Sequence, residues 1–264
     1  MSDKANIVHR QLENKVAIVT GGASGIGEAI CLEFALQGAM ICIADINLEK
    51  AKTVIRKIEE FGGEVLASEV DISDYKSVIR TVTKTLERFG SIDILVNCAG
   101  WHQFLPVEEY SEGMWEKIRS INLDGPWNFC KAVMPELIKK RSGKIINIGS
   151  AAGILSIPKA APYTIAKHGV IGLTRALAVD LAPYQINVNC ICPSTIDTPL
   201  LREATKPEFI KGMLERIPLG RLGKLSDVSK SALFLASPDS DWITGVVLPV
   251  DGGLTCCIRA HHYE

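Results

Sequence analysis

The stretch Lys15-Val16-Ala17-Ile18-Val19-Thr20-Gly21-Gly22-Ala23-Ser24-Gly25-Ile26-Gly27 decides the fold. Its first six residues are apolar and β-branched without alternation, the pattern of a strand buried on both faces of a parallel sheet. The glycines that follow form a turn, and an amphipathic pattern then runs through Gln37. Strand, glycine turn and helix together predict a phosphate cradle. Glycines let backbone approach a pyrophosphate, and a helix N-terminus offers unpaired N–H groups and the positive end of its dipole. The spacing is TGxxxGxG, and since glycine turns after strands are common, the turn alone does not settle the matter. Met40 to Ala44 reads as a second strand ending at Asp45, about twenty residues beyond the glycines, where a carboxylate accepts hydrogen bonds from an adenosine ribose. It would also repel a 2′-phosphate, since two unit charges ~4 Å apart at an effective dielectric of about 20 interact by about 4 kcal/mol. No lysine or arginine stands in the glycine turn, and Lys50 falls a turn into the next helix as a solvated residue, so the sequence predicts NAD rather than NADP. The alternative for Asp45 is a helix N-cap.

Outward from this unit the alternation continues. Asn47 to Phe61 reads as a helix, Glu64 to Val70 as a strand, Ser73 to Phe89 as a helix and Ile92 to Val96 as a strand. Strands separated by helices of this length predict right-handed crossovers and a parallel sheet covered on both faces, an α/β doubly wound fold. Asp71 falls at the carboxyl end of the third strand, where it could reach an adenine amino group or cap the helix starting near Asp74. Asn97-Cys98-Ala99-Gly100 follows the fourth strand, with small residues that let the chain pass a cofactor and an asparagine to hold the turn. Met114 to Lys140 reads as one long helical stretch, interrupted by Pro126 and Pro135, with Asn122 near its middle. Asparagine is unfavourable in a helix interior, which assigns Asn122 a local task. Lys144 to Ile148 is a fifth strand delivering Gly149-Ser150. Thirteen residues later come Tyr163 and Lys167, four apart and therefore on one helix face. An ammonium held close favours the phenolate form of a tyrosine, which would ready Tyr163 for proton exchange near neutral pH.

The 264 residues carry a formal net charge of −1 and are 47% hydrophobic. That balance argues against nucleic-acid binding and against an acidic docking tail. There is no apolar run of membrane-spanning length, and the polar N-terminus lacks the apolar core of a secretory signal. Six of the eight cysteines lie scattered in apolar segments, which fits reduced thiols in a cytosol. The expected location is cytoplasmic, with no membrane partner.

In order along the chain, TGGASGIG, Asp45, VDISD, NCAG, INLDG, NIGS, YTIAK, CICPSTIDTP, IPLGRLGK and ITGVVLPVDGG resemble the short-chain dehydrogenase/reductase family, over about Leu12 to Leu254. The resemblance implies a single Rossmann-like domain, here 12–255 between a lead-in (1–11) and a tail (256–264), assembled as a homotetramer or homodimer and catalysing NAD(P)-dependent carbonyl reduction or alcohol oxidation. It implies that Tyr163 is the acid/base, that Lys167 tunes it and holds the nicotinamide ribose, that Ser150 bonds the substrate oxygen and that Asn122 holds a water leading from Lys167 to solvent. It places the cofactor against Gly21, Ser24, Gly25, Ile26, Gly27, Asp45, Ile46, Asp71, Ile72, Asn97, Ala99, Gly100, Tyr163, Lys167, Pro193, Ile196 and Thr198. Two positions depart from the family pattern: Ser194 stands where glycine is usual, and Cys98 where asparagine is frequent.

Specificity in such a fold comes from the loop after Gly100, the segment after Ser150 and a lid from Pro199 to Arg216. Trp101, His102 and Leu155, with Ser150 and Tyr163, are the candidate substrate contacts. Lys159 either meets an anionic group or is solvated. The lining is mostly apolar, which favours a medium or bulky secondary alcohol or ketone, and the combination NCAGW, PSTIDT, PLGRLGK and VDGGLT resembles family members acting on cyclic hydroxyacyl thioesters or hydroxyacids. The alternatives are a 3-oxoacyl-thioester reductase and a cofactor-binding scaffold without catalysis. At the tail, Cys256-Cys257 and His261-His262 lack the spacing of zinc ligands, so no metal is expected and an ordered tail at a subunit interface is the preferred reading.

Overall fold

Val16–Thr20 (β1) is buried at every position, because its side chains alternate into two separate apolar layers. Ala17 and Val19 pack on one face with Ile30 and Phe34 of α1 (Gly25–Leu36) and Val54 and Ile58 of α2 (Leu48–Glu60). Ile18 packs on the other with Val78 and Val82 of α3 (Tyr75–Phe89) and with Phe129 and Val133 of α5 (Gly125–Lys140). Fully burying one such side chain contributes roughly 1.5–3 kcal/mol. A sheet sandwiched this way has no polar face, which is why its strands read as continuous apolar runs.

The computed structural model describes residues 10–198, 201 and 207–257. These form a seven-stranded, all-parallel sheet in the order β3-β2-β1-β4-β5-β6-β7. The remaining strands are β2 (Met40–Asp45), β3 (Val65–Glu69), β4 (Ile94–Asn97), β5 (Gly143–Ile148), β6 (Ile186–Pro193) and β7 (Val247–Val250). The other principal helices are α4 (Glu112–Arg119), α6 (Ala161–Leu181), α7 (Pro207–Leu214) and α8 (Leu225–Ala236). From β1 the chain winds outward to β3 and then returns to pair β4 on β1's other side. That reversal opens a crevice at the carboxyl ends of β1 and β4, where ligands collect in sheets of this class.

One expectation needs correction, and two alternatives fall away. The stretch from Met114 to Lys140 is not one helix: α4 stops at Arg119, a π turn spans Ser120–Asp124, and α5 starts at Gly125. The Asn122 amide donates to Ile118 O at 2.9 Å and so supplies a donor where the wider turn breaks the α-helical ladder. Pro126 sits in the first turn of α5, where no N–H is needed, while Pro135 lies inside α5 without ending it. Asp45 is not a helix cap, for Asn47 caps α2 by accepting from Lys50 N. Asp71 does not cap α3, for Asp74 accepts from Lys76 N and Ser77 N.

Candidate active site

The glycine turn after β1 is built by close approach. A Cβ on Gly27 would lie 2.1 Å from Gly21 O, and one on Gly21 would lie 2.8 Å from Ala99 Cα, so the turns after β1 and β4 touch backbone to backbone. Gly25 has φ +56° and open space around it. Ser24, the N-cap of α1, makes no side-chain cap bond, and the first amides of a helix have no partner within it. This cradle fits an anionic, backbone-bound group such as a pyrophosphate. Asp45 closes one side: Oδ2 accepts from Ala23 N at 3.0 Å and Oδ1 from Asn47 N at 2.9 Å, which fixes the carboxylate against the glycine turn. Ile46 beside it is exposed. Asp71 accepts from Ser73 N and Ser73 Oγ, and the Ile72 side chain is buried beneath Gly125. The turn after β4 is held by Thr20, whose Oγ1 accepts from Cys98 N and Ala99 N at 2.9 and 3.0 Å.

The residues expected to handle the proton meet at the carboxyl ends of β4 and β5. Pro162 opens the first turn of α6, and Tyr163 and Lys167 follow on one face, the ammonium 5.6 Å from the centre of the phenol ring. Lys167, only 4% exposed, donates to Ile148 O at 2.9 Å. That bond ties α6 to the last residue of β5, two residues before Ser150. Ser150 Oγ accepts from Ala152 N and so caps the short turn Ala151–Gly153. Its own proton is not used by that bond and can go to a substrate oxygen. Asn122, fully buried in the π turn, donates to Trp101 O and accepts from Trp101 N. Gly100 lies between these groups: a Cβ there would sit 3.1 Å from Asn122 Oδ1 and 3.9 Å from Lys167 Nζ.

The wall facing them carries His102, whose ring lies 4.8 Å from that of Phe104 and 5.5 Å from that of Tyr163. Burial, and then the charge of Lys167, lowers the His102 pKa, so its imidazole is neutral at pH 7. Trp101 is covered by Lys117 Nζ at 4.2 Å. Phe104 and Leu155 remain 49% and 44% exposed, apolar surface at the mouth of the crevice. Pro193 ends β6, Ile196 is buried in a bridge to Gly223, and Thr198 Oγ1 accepts from Leu201 N. Pro199 and Leu200 of the expected lid lie outside the described residues, as do His261 and His262.

The family model described as enoyl-(acyl carrier protein) reductase matches residues 21–255. The chain belongs to the short-chain dehydrogenase/reductase family. This family member is 38% identical over 244 residues to the 3-oxoacyl-[acyl-carrier-protein] reductase FabG of Thermotoga maritima, covering 92% of this chain and 99% of that one. It is 39% identical over 242 residues to the (2S)-[(R)-hydroxy(phenyl)methyl]succinyl-CoA dehydrogenase subunit BbsD of Thauera aromatica, covering 92% and 97%. Among solved structures it resembles levodione reductase, with a TM-score of 0.90 at 31% identity over 93% of this chain and 99% of that one.

Sequence reasoning missed several supports of the candidate site. The Asn97 amide does not hold its own turn. It donates to Asn147 Oδ1 at 2.8 Å, and Asn147 donates to Thr174 Oγ1, a buried polar chain across β4, β5 and α6. Cys190 and Cys192 form a buried thiol pair with sulfurs 3.7 Å apart, directly under Gly149, where a Cβ would meet both at 2.8 Å. The Cys190 pKa is raised by its hydrogen bond with Cys192 and by burial, and the Cys192 pKa is lowered by that same bond. All eight cysteines are free thiols. Burial pushes Cys98, the departure from the family's asparagine, up to about 12. Ser194, the other departure, donates to Asp251 O at 3.2 Å. Among the described residues no group of His, Cys, Asp and Glu could hold a metal ion, and no helix is long and apolar enough to cross a membrane.

Proposed function

We propose that this chain is an NAD-dependent oxidoreductase that interconverts a secondary alcohol and its ketone, with a largely apolar or cyclic substrate that includes hydroxyacyl thioesters and hydroxyacids. The observation that carries the reaction type is the buried Lys167 ammonium, bonded to Ile148 O and set beside the Tyr163 ring. Bound NAD(H) supplies or accepts the hydride. The α1 N-terminus would hold its pyrophosphate, Asp45 the adenosine ribose and Lys167 the nicotinamide ribose; Ile46, Asp71, Ile72, Asn97, Ala99, Gly100, Pro193, Ile196 and Thr198 would line the rest of its path. In oxidation, Tyr163 takes the hydroxyl proton while Ser150 donates a hydrogen bond to the same oxygen and steadies its charge. The proton would leave through Lys167 to a water held at Asn122 and so to solvent.

The choice of NAD rests on Asp45, fixed where a 2′-phosphate would meet its carboxylate. Binding of NADH and NADPH, followed by fluorescence titration, tests it. NADH should bind at least about tenfold tighter, a difference of about 1.4 kcal/mol, and Asp45→Ser should narrow the gap. Tighter NADPH binding by the wild type would overturn the assignment.

A second reading, reduction of 3-oxoacyl thioesters, is favoured by the FabG relative. Assaying cyclohexanol, 3-hydroxybutyrate and 3-hydroxybutyryl-CoA with NAD, and acetoacetyl-CoA with NADH and NADPH, separates the two. Turnover of acetoacetyl-CoA alone, with NADPH, would replace the first reading. Exposed Trp127 on α5 and Ile165 and Val179 on α6 support assembly of several copies.

A further inference from the structure

The loop 101–110 and the segment 151–160 form the two sides of the proposed substrate mouth, and one side-chain hydroxyl together with one backbone amide joins them. Tyr110 Oη lies 2.5 Å from Gln103 O and 3.0 Å from Lys159 O, sharing its one proton between carbonyls from both sides. Leu105 N donates to the same Lys159 carbonyl at 3.0 Å. Lys159 has φ +60°, a left-handed conformation rare for a lysine. Such local strain persists only where surrounding contacts hold it, and here the contacts are these two donors. Tyr110 itself is anchored, because it directly precedes Ser111, the N-cap of α4, which accepts from Met114 N. Gln103, whose carbonyl is gripped, stands next to His102, and His102 faces the Tyr163 ring.

We propose that Tyr110 is a positioning residue for substrate: its hydroxyl fastens the two sides of the mouth and holds His102 opposite Tyr163. The clasp makes a fixed pocket wall before substrate arrives, so the cost of ordering the loops is met in the fold and not in the binding step. It deepens the alcohol dehydrogenase reading and rests on it for its kinetic consequence. It also assigns Lys159 a role through its carbonyl, with the ammonium left to solvent.

Tyr110→Phe removes only the hydroxyl. The substrate KM, measured with whichever of cyclohexanol, 3-hydroxybutyrate or 3-hydroxybutyryl-CoA the wild type oxidises best, should rise by about tenfold, as for the loss of one or two hydrogen bonds. The kcat should stay within about twofold, the pattern of lost uniform binding, and NADH affinity should not change. Hydrogen exchange gives a readout free of substrate: the Leu105 amide should lose protection in Tyr110→Phe while the β1 and β4 amides keep theirs. Lys159→Gly relaxes the backbone and keeps the carbonyl, so Leu105 should stay protected. An unchanged KM with Leu105 still protected in Tyr110→Phe would overturn the proposal. So would a rise in KM for Lys159→Gly with the Leu105 amide intact, since that would give recognition to the ammonium. If the wild type binds NADH yet oxidises none of the three probes, the alcohol dehydrogenase reading fails, and the exchange data alone decide whether the clasp exists.

Discussion

The two walls of the crevice are built by opposite means. On the proposed cofactor side, backbone meets backbone: Gly21 against Ala99, and Gly27 against Gly21, with no room for a methyl group. On the proposed substrate side, loops carrying exposed Phe104 and Leu155 are joined by a few hydrogen bonds through Tyr110 and Lys159. The first wall is fixed by sterics, and any added atom must displace main chain. The second is fixed by removable side-chain bonds, so changes there alter fit without dismantling the fold. Between them stands the buried Lys167, attached to β5 through Ile148 O.

The contrast can be broken most severely at its centre. Tyr163→Phe should lower turnover by about 100- to 10,000-fold, the contribution of a positioned acid/base, while NADH titration shows binding close to wild type. A fully active variant would remove Tyr163 from the chemistry. On the rigid wall, Gly27→Ala should cost about 1–3 kcal/mol of stability, the range for overpacking, seen as a lower denaturant midpoint, and NADH affinity should fall with it. If Gly27→Ala is as stable as the wild type and binds NADH equally well, the steric account of this wall is wrong.

The smallest effect belongs to the soft wall. Burial and Lys167 hold the His102 pKa below its ordinary value. Between that lowered value and the ordinary one near 6.5, the unfolded chain therefore binds more protons at this residue than the folded protein does. Stability thus rises with pH through this window and levels off above it. His102→Gln should flatten part of the loss of thermal stability that the wild type shows on acidification below about pH 6.5. An identical pH profile for the two proteins would show that His102 is not held against Tyr163 and Lys167.

The rigid wall was also the legible one. Buried parallel strands betray themselves as apolar runs, and glycines stand out wherever backbone must approach backbone, so β1 and its turn could be read directly and Asp45 from its place at the end of β2. The Tyr163–Lys167 pair, a common spacing on helix faces, took its reading from the family resemblance. The π turn at Asn122 escaped because widening one turn of a helix barely disturbs apolar spacing over five residues. The misplaced asparagine and the proline four residues later were the available signals. Thr20 escaped because a threonine at a strand end needs no explanation beyond β preference. Tyr110 escaped for a different reason: its bond to Lys159 spans forty-nine residues between aperiodic loops, and nothing local announces it.

The bond from Lys167 to Ile148 O has a consequence for how such a protein can change its diet. The residues proposed to trade the proton are moored to β5, a strand inside the sheet, and the loops proposed to sort substrates take no part in that mooring. Rim loops can therefore be exchanged or lengthened to admit a new molecule while the central machinery keeps its alignment.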